Sequence, residues 1–171
     1  MYSVGELLVY GANGVMRVTD VTEMRVGDDM HKYYVLEEVD RPSAGQTYVP
    51  IDNAQLTARM RPLLTREEIY GLLASVDELP GTEWSRDNRV RAERFKGIIE
   101  SGDRARIIAM IRDIYVAGKK RQSEGKKNYI SDENVMRRAE KLLHSEFSIV
   151  LGIPEESVSQ FIASEIEKNK K

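Results

Sequence analysis

The apolar residues of this chain change period once, near Pro62, and that change limits the fold more than any other feature. Before it, they alternate in short runs. "ELLVY", "GANG" and "VMRVTDV" follow one another from Glu6 to Val21, two strand-like runs joined by a glycine-flanked turn of the kind a tight hairpin uses. "MHKYYVLEEV" is a third strand, "DRPSAG" a loop, and "QTYVPI" a fourth strand stopped by Pro50. Several short strands in so little sequence favour a small closed barrel of SH3 or Tudor type, because closure removes edges that would otherwise aggregate.

After Pro62 the spacing is helical. In "LTREEIYGLLASV", Thr65 and Glu68 are placed to form a capping box. "SGDRARIIAMIRDIYVAGKKR" sets Ile107, Ile108, Ile111, Ile114 and Tyr115 at helical spacing behind Asp103, a suitable cap, with cations in the last turn. Ser131, Asp132 and Glu133 start a further helix that Gly152 ends, and Pro154 fits the first position of a last one. The expected architecture is α+β: a small SH3/Tudor-like β-barrel over residues 1–62, then a compact all-α domain over residues 63–171.

Several function classes are disfavoured by what is missing. Without cysteine there is no disulfide framework, thiolate zinc site or cysteine nucleophile. The opening "MYSVGELLVYG" lacks the features of a signal peptide, and no run approaches the roughly 20 apolar residues of a membrane span. A soluble, cytoplasmic protein without membrane contact is expected. His31 and His144 stand alone in a strand and a helix, and no Gly-rich phosphate loop, paired-His metal site or nucleophile motif appears. The expectation is a protein that is not an enzyme, with no metal and no cofactor.

Net charge is -2 but unevenly spread: residues 1–62 carry 6 Lys/Arg against 9 Asp/Glu, residues 63–83 carry 1 against 5, and residues 84–121 carry 11 against 5. A basic segment in an acidic chain suits either a polyanion or a solvated helix face. At its start stands the one tryptophan, Trp84, in "GTEWSRDNRVRAERFKG". If Ser85 caps the helix that follows, Trp84 lies just outside it and the residue meant to staple against it is Arg89, which is not apolar. Helical spacing puts Ala92, Phe95, Ile98 and Ile99 on one face and Arg86, Arg89, Arg94 and Lys96 on the other, with the stem of Arg91 packing beside the apolar face. Two readings fit. Trp84 can stack on or wedge against nucleobases while arginines hold phosphates, or it can pack against a helix such as 104–118 in a pure protein-interaction module. The second cationic stretch, "GKKRQSEGKKNY" from Gly118 to Tyr129, suits either a second DNA contact or a solvated interhelix loop whose cations complement the preceding helix end, and the loop is the favoured reading.

The chain also resembles a known family, the bacterial CarD/CdnL regulators. "VGELLVYGANGV" is similar to that family's opening: Gly5, Val9, Tyr10, Gly14 and Val15 match, whereas Glu6, Gly11 and Asn13 depart. "YYVL" and "YVPIDN" resemble later barrel strands, "WSRDNRVRAERFKGIIESGDRARIIAMIRDIY" resembles the most diagnostic block, and "SDENVMRRAEKLLHSEFSIVLG" resembles the helix after it. The likeness covers almost the whole chain.

That resemblance implies a bacterial transcription regulator associated with the nucleoid through RNA polymerase. Its N-terminal domain, shared with transcription-repair coupling factor, would bind the polymerase β subunit, and its helical domain would touch promoter DNA at the upstream edge of the bubble and stabilise the open complex. Trp84 would be the minor-groove wedge, with Arg86, Arg89, Arg94 and Lys96 on DNA, and Asp87, where the family often has a basic residue, would weaken DNA affinity modestly. Arg25 and Tyr48 fall at or beside the family's polymerase-binding positions, although Tyr48 cannot form the family's ion pair. A monomer is expected.

Overall fold

The computed structural model describes residues 1–171, which form two compact units, Met1–Leu63 and Leu64–Lys171. No helix is long and apolar enough to cross a membrane. The architecture is α+β, a five-stranded antiparallel sheet in the first unit and helices in the second.

The first unit contains β1 (Leu7–Tyr10), β2 (Val15–Val26), β3 (Asp29–Glu38), β4 (Gln46–Pro50) and β5 (Met60–Pro62), in the sheet order β4-β3-β2-β1-β5. The β1–β2 hairpin closes where the Tyr10 amide donates to the Gly14 carbonyl at 3.0 Å. Gly14 has φ 77°, a conformation that side chains rarely adopt, so the last glycine of "GANG" is required by this turn. Alternate residues of the strands make the core: Leu8, Met16, Val18, Leu36 and Val49 are fully buried, with Tyr10, Tyr34 and Met60 around them.

Two pieces of this sheet escape the alternation that marks the rest. β2 continues through Thr22–Val26 and pairs with Asp29–Tyr33 across a turn at Gly27 and Asp28. None of Thr22–Val26 is buried, so no apolar face signals a strand there. β5 lies where the period of the apolar residues changes, at Pro62. Its three residues are too few to show a period, yet they pair with β1, and Met60 fills the core. A short helix, α1 (Ala54–Thr57), precedes it, capped by Asn53, whose Oδ1 accepts from the Gln55 and Leu56 amides at 3.1 Å.

The second unit contains α2 (Arg66–Ala74), α3 (Asn88–Ser101), α4 (Arg104–Ser123), α5 (Ile130–Leu151) and α6 (Glu155–Asn169). The capping box at α2 is present in both directions: the Glu68 amide donates to Thr65 Oγ1 at 3.1 Å, and the Thr65 amide donates to Glu68 Oε2 at 2.7 Å. Gly102 ends α3 in the left-handed conformation, φ 66°, and Asp103 at once caps α4 through the Arg106 amide at 3.2 Å. The core draws Ile69 and Leu73 from α2, Phe95, Ile98 and Ile99 from α3, Ile107, Met110 and Ile114 from α4, and Leu143 and Phe147 from α5. Each such side chain contributes about 1.5–3 kcal/mol of burial free energy.

Some local expectations are corrected. Helix α5 begins at Ile130 with no side-chain cap, because Asp132 turns inward instead of serving the helix end. Pro154 occupies the cap of α6, one residue before its first helical position. Tyr115 is 57 % exposed and Ile111 only half-buried, so the buried stripe of α4 is narrower than its apolar spacing. Gly118–Ser123 are helical, leaving only the end of "GKKRQSEGKKNY" as a loop.

One carboxylate is buried in this unit. Glu146 accepts from the Leu64 amide at 2.8 Å and faces Arg104 Nε at 3.3 Å. Burial pushes its pKa up; the Arg104 charge and the Leu64 hydrogen bond oppose that shift, and Glu68 reinforces it.

Candidate nucleic-acid interface

Trp84 lies in an irregular segment ahead of α3, and the helix begins later than the capping pattern suggests. Asp87 is the cap, not Ser85: its Oδ1 accepts from the Arg89 amide at 2.8 Å and the Val90 amide at 3.3 Å. Both residue types suit a cap, and the more C-terminal one wins because its oxygen reaches two free amides. The acidic residue at this position thus has a structural task. Ser85 serves the same turn by accepting from the Asp87 amide at 3.2 Å.

The segment carrying Trp84 is held along its length. Thr82 donates from both its amide and its hydroxyl to Asp113 Oδ2, at 2.6 and 2.7 Å. Asp113 is in turn held by Arg112 at 2.8 Å, and Arg112 donates to the Val76 and Leu79 carbonyls at 2.8 and 2.7 Å. The Arg-Asp pair of α4 therefore clamps the chain that leads to Trp84. Arg94 donates to the Glu83 carbonyl and stands 4.0 Å from its carboxylate. Beyond Trp84, Arg91 Nη1 donates to the Ser85 carbonyl at 2.9 Å.

Arg91 is the centre of this arrangement. It is 1 % exposed, and its guanidinium meets Asp132 of α5 through Nε at 3.0 and 3.1 Å and through Nη2 at 2.8 Å. Nη2 also donates to Asn88 Oδ1 at 2.7 Å. The same guanidinium lies 4.8 Å from the Trp84 ring centre and 5.0 Å from that of Tyr129. A desolvated cation against an aromatic face contributes about 2 kcal/mol, so Arg91 replaces the apolar staple that Trp84 lacks. Phe95 completes the seat, its ring centre 5.9 Å from that of Trp84. The reading of Arg91 as a packing stem misses this, because Asp132 stands 41 residues away. The available signal was a cation beside an apolar face, which is stable there only with a buried carboxylate.

Trp84 is neither core nor loose: packed on Arg91 and Phe95, it keeps 39 % of its surface exposed. Arg86 and Arg89 are exposed on either side of Asp87 and take no part in the ion pairs that build the site. Lys96 is exposed two helical turns beyond Arg89. Seven of the 11 cations of residues 84–121 divide by role. Arg91, Arg94, Arg104 and Arg112 hold protein groups, whereas Arg86, Arg89 and Lys96 face solvent with the indole nearby in sequence.

The other candidates are more scattered. Arg25 is exposed near the β2–β3 turn, donating to the Gly27 carbonyl at 3.2 Å, and Tyr48 is 45 % exposed on β4, donating to Gln46 Oε1 at 3.1 Å. Arg25 pairs with Met30 and Tyr48 with Val35. Those β3 partners are an odd number of residues apart, so Arg25 and Tyr48 project from opposite faces of the sheet. His31 pairs with Asp52 at 3.3 Å, and His144 lines an apolar cavity of about 360 Å³.

Two protein-family models match the chain. One, described as CarD-like/TRCF RID domain, matches residues 2–64, and the other, described as CarD, C-terminal domain, matches residues 68–163. Among curated proteins, none matches it.

Proposed function

The chain belongs to the CarD family of RNA polymerase-interacting transcription factors, and from that premise we propose that it stabilises the open promoter complex through Trp84. Proteins of this kind regulate without catalysis. Residues 1–62 bind the polymerase β subunit, and residues 63–171 contact promoter DNA at the upstream edge of the bubble. The protein acts as a monomer in the bacterial cytoplasm, on the nucleoid through polymerase.

The observation that carries this reading is a half-exposed indole on a segment anchored at Thr82, Glu83 and Ser85, with two unpaired arginines beside it. A wedge must be flat, apolar and rigid. Unstacking a base step costs a few kcal/mol, but polymerase has already opened the bubble, so Trp84 needs only to oppose reclosure. Arg86 and Arg89 hold phosphates without reading sequence, with Lys96 further along α3. Arg94, engaged with Glu83, contributes to DNA binding less than these. Attachment to polymerase through the first unit gives the helical unit a high effective concentration at the promoter, so a weak DNA contact suffices. Arg25 and Tyr48 remain the proposed polymerase contacts; their opposite faces require the β lobe to engage an edge of the sheet around which both can reach.

The test is the lifetime of a promoter open complex challenged with competitor, with and without the protein. The expected result is a severalfold longer lifetime. An unchanged lifetime together with polymerase capture by residues 1–62 would leave a polymerase-binding module without DNA contact.

A further inference from the structure

Beside Trp84 there is a second feature that the wedge does not use. Trp84 and Tyr129 form part of the wall of a cavity of about 180 Å³, with Gly118 and Asn128 also lining it. We propose that this cavity receives a single unpaired DNA base at the bubble edge, its ring against the exposed part of Trp84 and its edge hydrogen-bonded to Asn128.

This rests on the reading that Trp84 sits at the upstream edge, and three observations extend it. First, Asn128 Oδ1 is buried and without a hydrogen-bond partner. Buried polar atoms are nearly always paired, so an orphan of this kind marks a place for an incoming donor. Turned over, the amide would offer its NH2 group instead, and the edge of a base, with donors and acceptors side by side, answers either orientation. Second, a Cβ at Gly118 would lie 3.0 Å from Asn128 Nδ2 and 3.1 Å from Oδ1, tight enough that the amide would have to shift. Glycine inside a helix is unfavourable relative to alanine; here it makes room for the amide. Third, the size and charge suit one ring. The cavity is smaller than the roughly 300–1,000 Å³ of sites for drug-sized ligands. Lys119 also belongs to its lining and can hold a neighbouring phosphate, whereas Arg121 is engaged with the Lys127 carbonyl at 2.9 Å and the Tyr129 ring, and the Glu133 carboxylate disfavours a phosphate within. Stacking on aromatic residues with hydrogen bonds at the base edge is how unpaired bases are commonly held.

The experiment uses the full chain, polymerase and a promoter carrying 2-aminopurine at successive positions along the upstream bubble edge. The expected result is one position whose fluorescence falls at least twofold on adding the protein, with that change lost in Asn128→Leu and in Gly118→Ala. Alanine favours the helix, so the second variant keeps the fold while displacing the amide. The open-complex lifetime is read in parallel. A lifetime lengthened by the protein and dependent on Trp84, with no responding position or with a response that survives both variants, overturns the pocket and leaves the wedge standing. No lengthening at all removes both. Asn128-dependent binding of free adenosine monophosphate with no promoter signal also overturns the proposal, since the cavity would then serve a free nucleotide.

Discussion

The two units hold their candidate residues in different ways. In the sheet, Arg25 and Tyr48 are exposed on separate strands, bonded only to groups two residues away in sequence, and they face opposite sides. In the helical unit, Trp84 is flanked by contacts that span 31 and 41 residues, Thr82 to Asp113 and Arg91 to Asp132. A sheet surface offers a partner its backbone edge and tolerates change in single side chains. A wedge depends on one side chain in one place, and long-range polar contacts supply that rigidity.

The largest expected effect breaks this contrast at its buried pair. Replacing Asp132 by alanine leaves the Arg91 guanidinium buried without its carboxylate, a change that typically costs about 3–5 kcal/mol. The helical unit should unfold at markedly lower denaturant concentration, while a fluorescence or exchange probe of the sheet keeps its midpoint. Equal loss in both units would show that they are not held independently.

A smaller change sharpens the contrast at the segment that carries Trp84. Asp113→Ala removes the acceptor of both Thr82 donors and should cost about 1–3 kcal/mol. Calorimetry measures that loss, and open-complex kinetics should show a shorter lifetime while capture of polymerase is retained. Smaller still is the double variant Arg86→Ala with Arg89→Ala, which should leave stability within about 0.5 kcal/mol. It should reduce the salt dependence of DNA binding by about one unit of log-log slope per residue. An unaltered slope would show that these arginines are solvated.

The smallest effect is a pH dependence confined to the helical unit. Glu146 has a pKa raised above 4.5, chiefly by burial. Its contribution to stability is fully present below the ordinary carboxylate value and is lost as pH rises through its raised one. Glu146→Gln cannot titrate, so the stability of the variant relative to wild type should improve as pH rises across that interval. Thermal unfolding of both proteins at a series of pH values measures the difference, and a flat difference would contradict it.

What was legible in the sequence is what is local. Thr65 and Glu68 are three residues apart, Asp103 adjoins its helix, and Gly152 ends α5 in the left-handed conformation, so each can be read from its neighbours. The α+β order follows from the change of period at Pro62. The seat of Trp84 is not local: Arg91, Asp132, Arg112 and Asp113 come from three helices, and nothing in the period of one helix names its partner on another. The same limit hides β5, whose strand character comes from β1 and not from its own three residues.

The central claim is that a preorganised Trp84 keeps the bubble from closing. It is tested most directly by the open-complex lifetime with wild type, with Trp84→Ala and with no added protein, alongside polymerase capture by both proteins. The expected result is that the variant captures polymerase as wild type does, yet returns the lifetime to that of polymerase alone. A variant that lengthens the lifetime as much as wild type would contradict the claim.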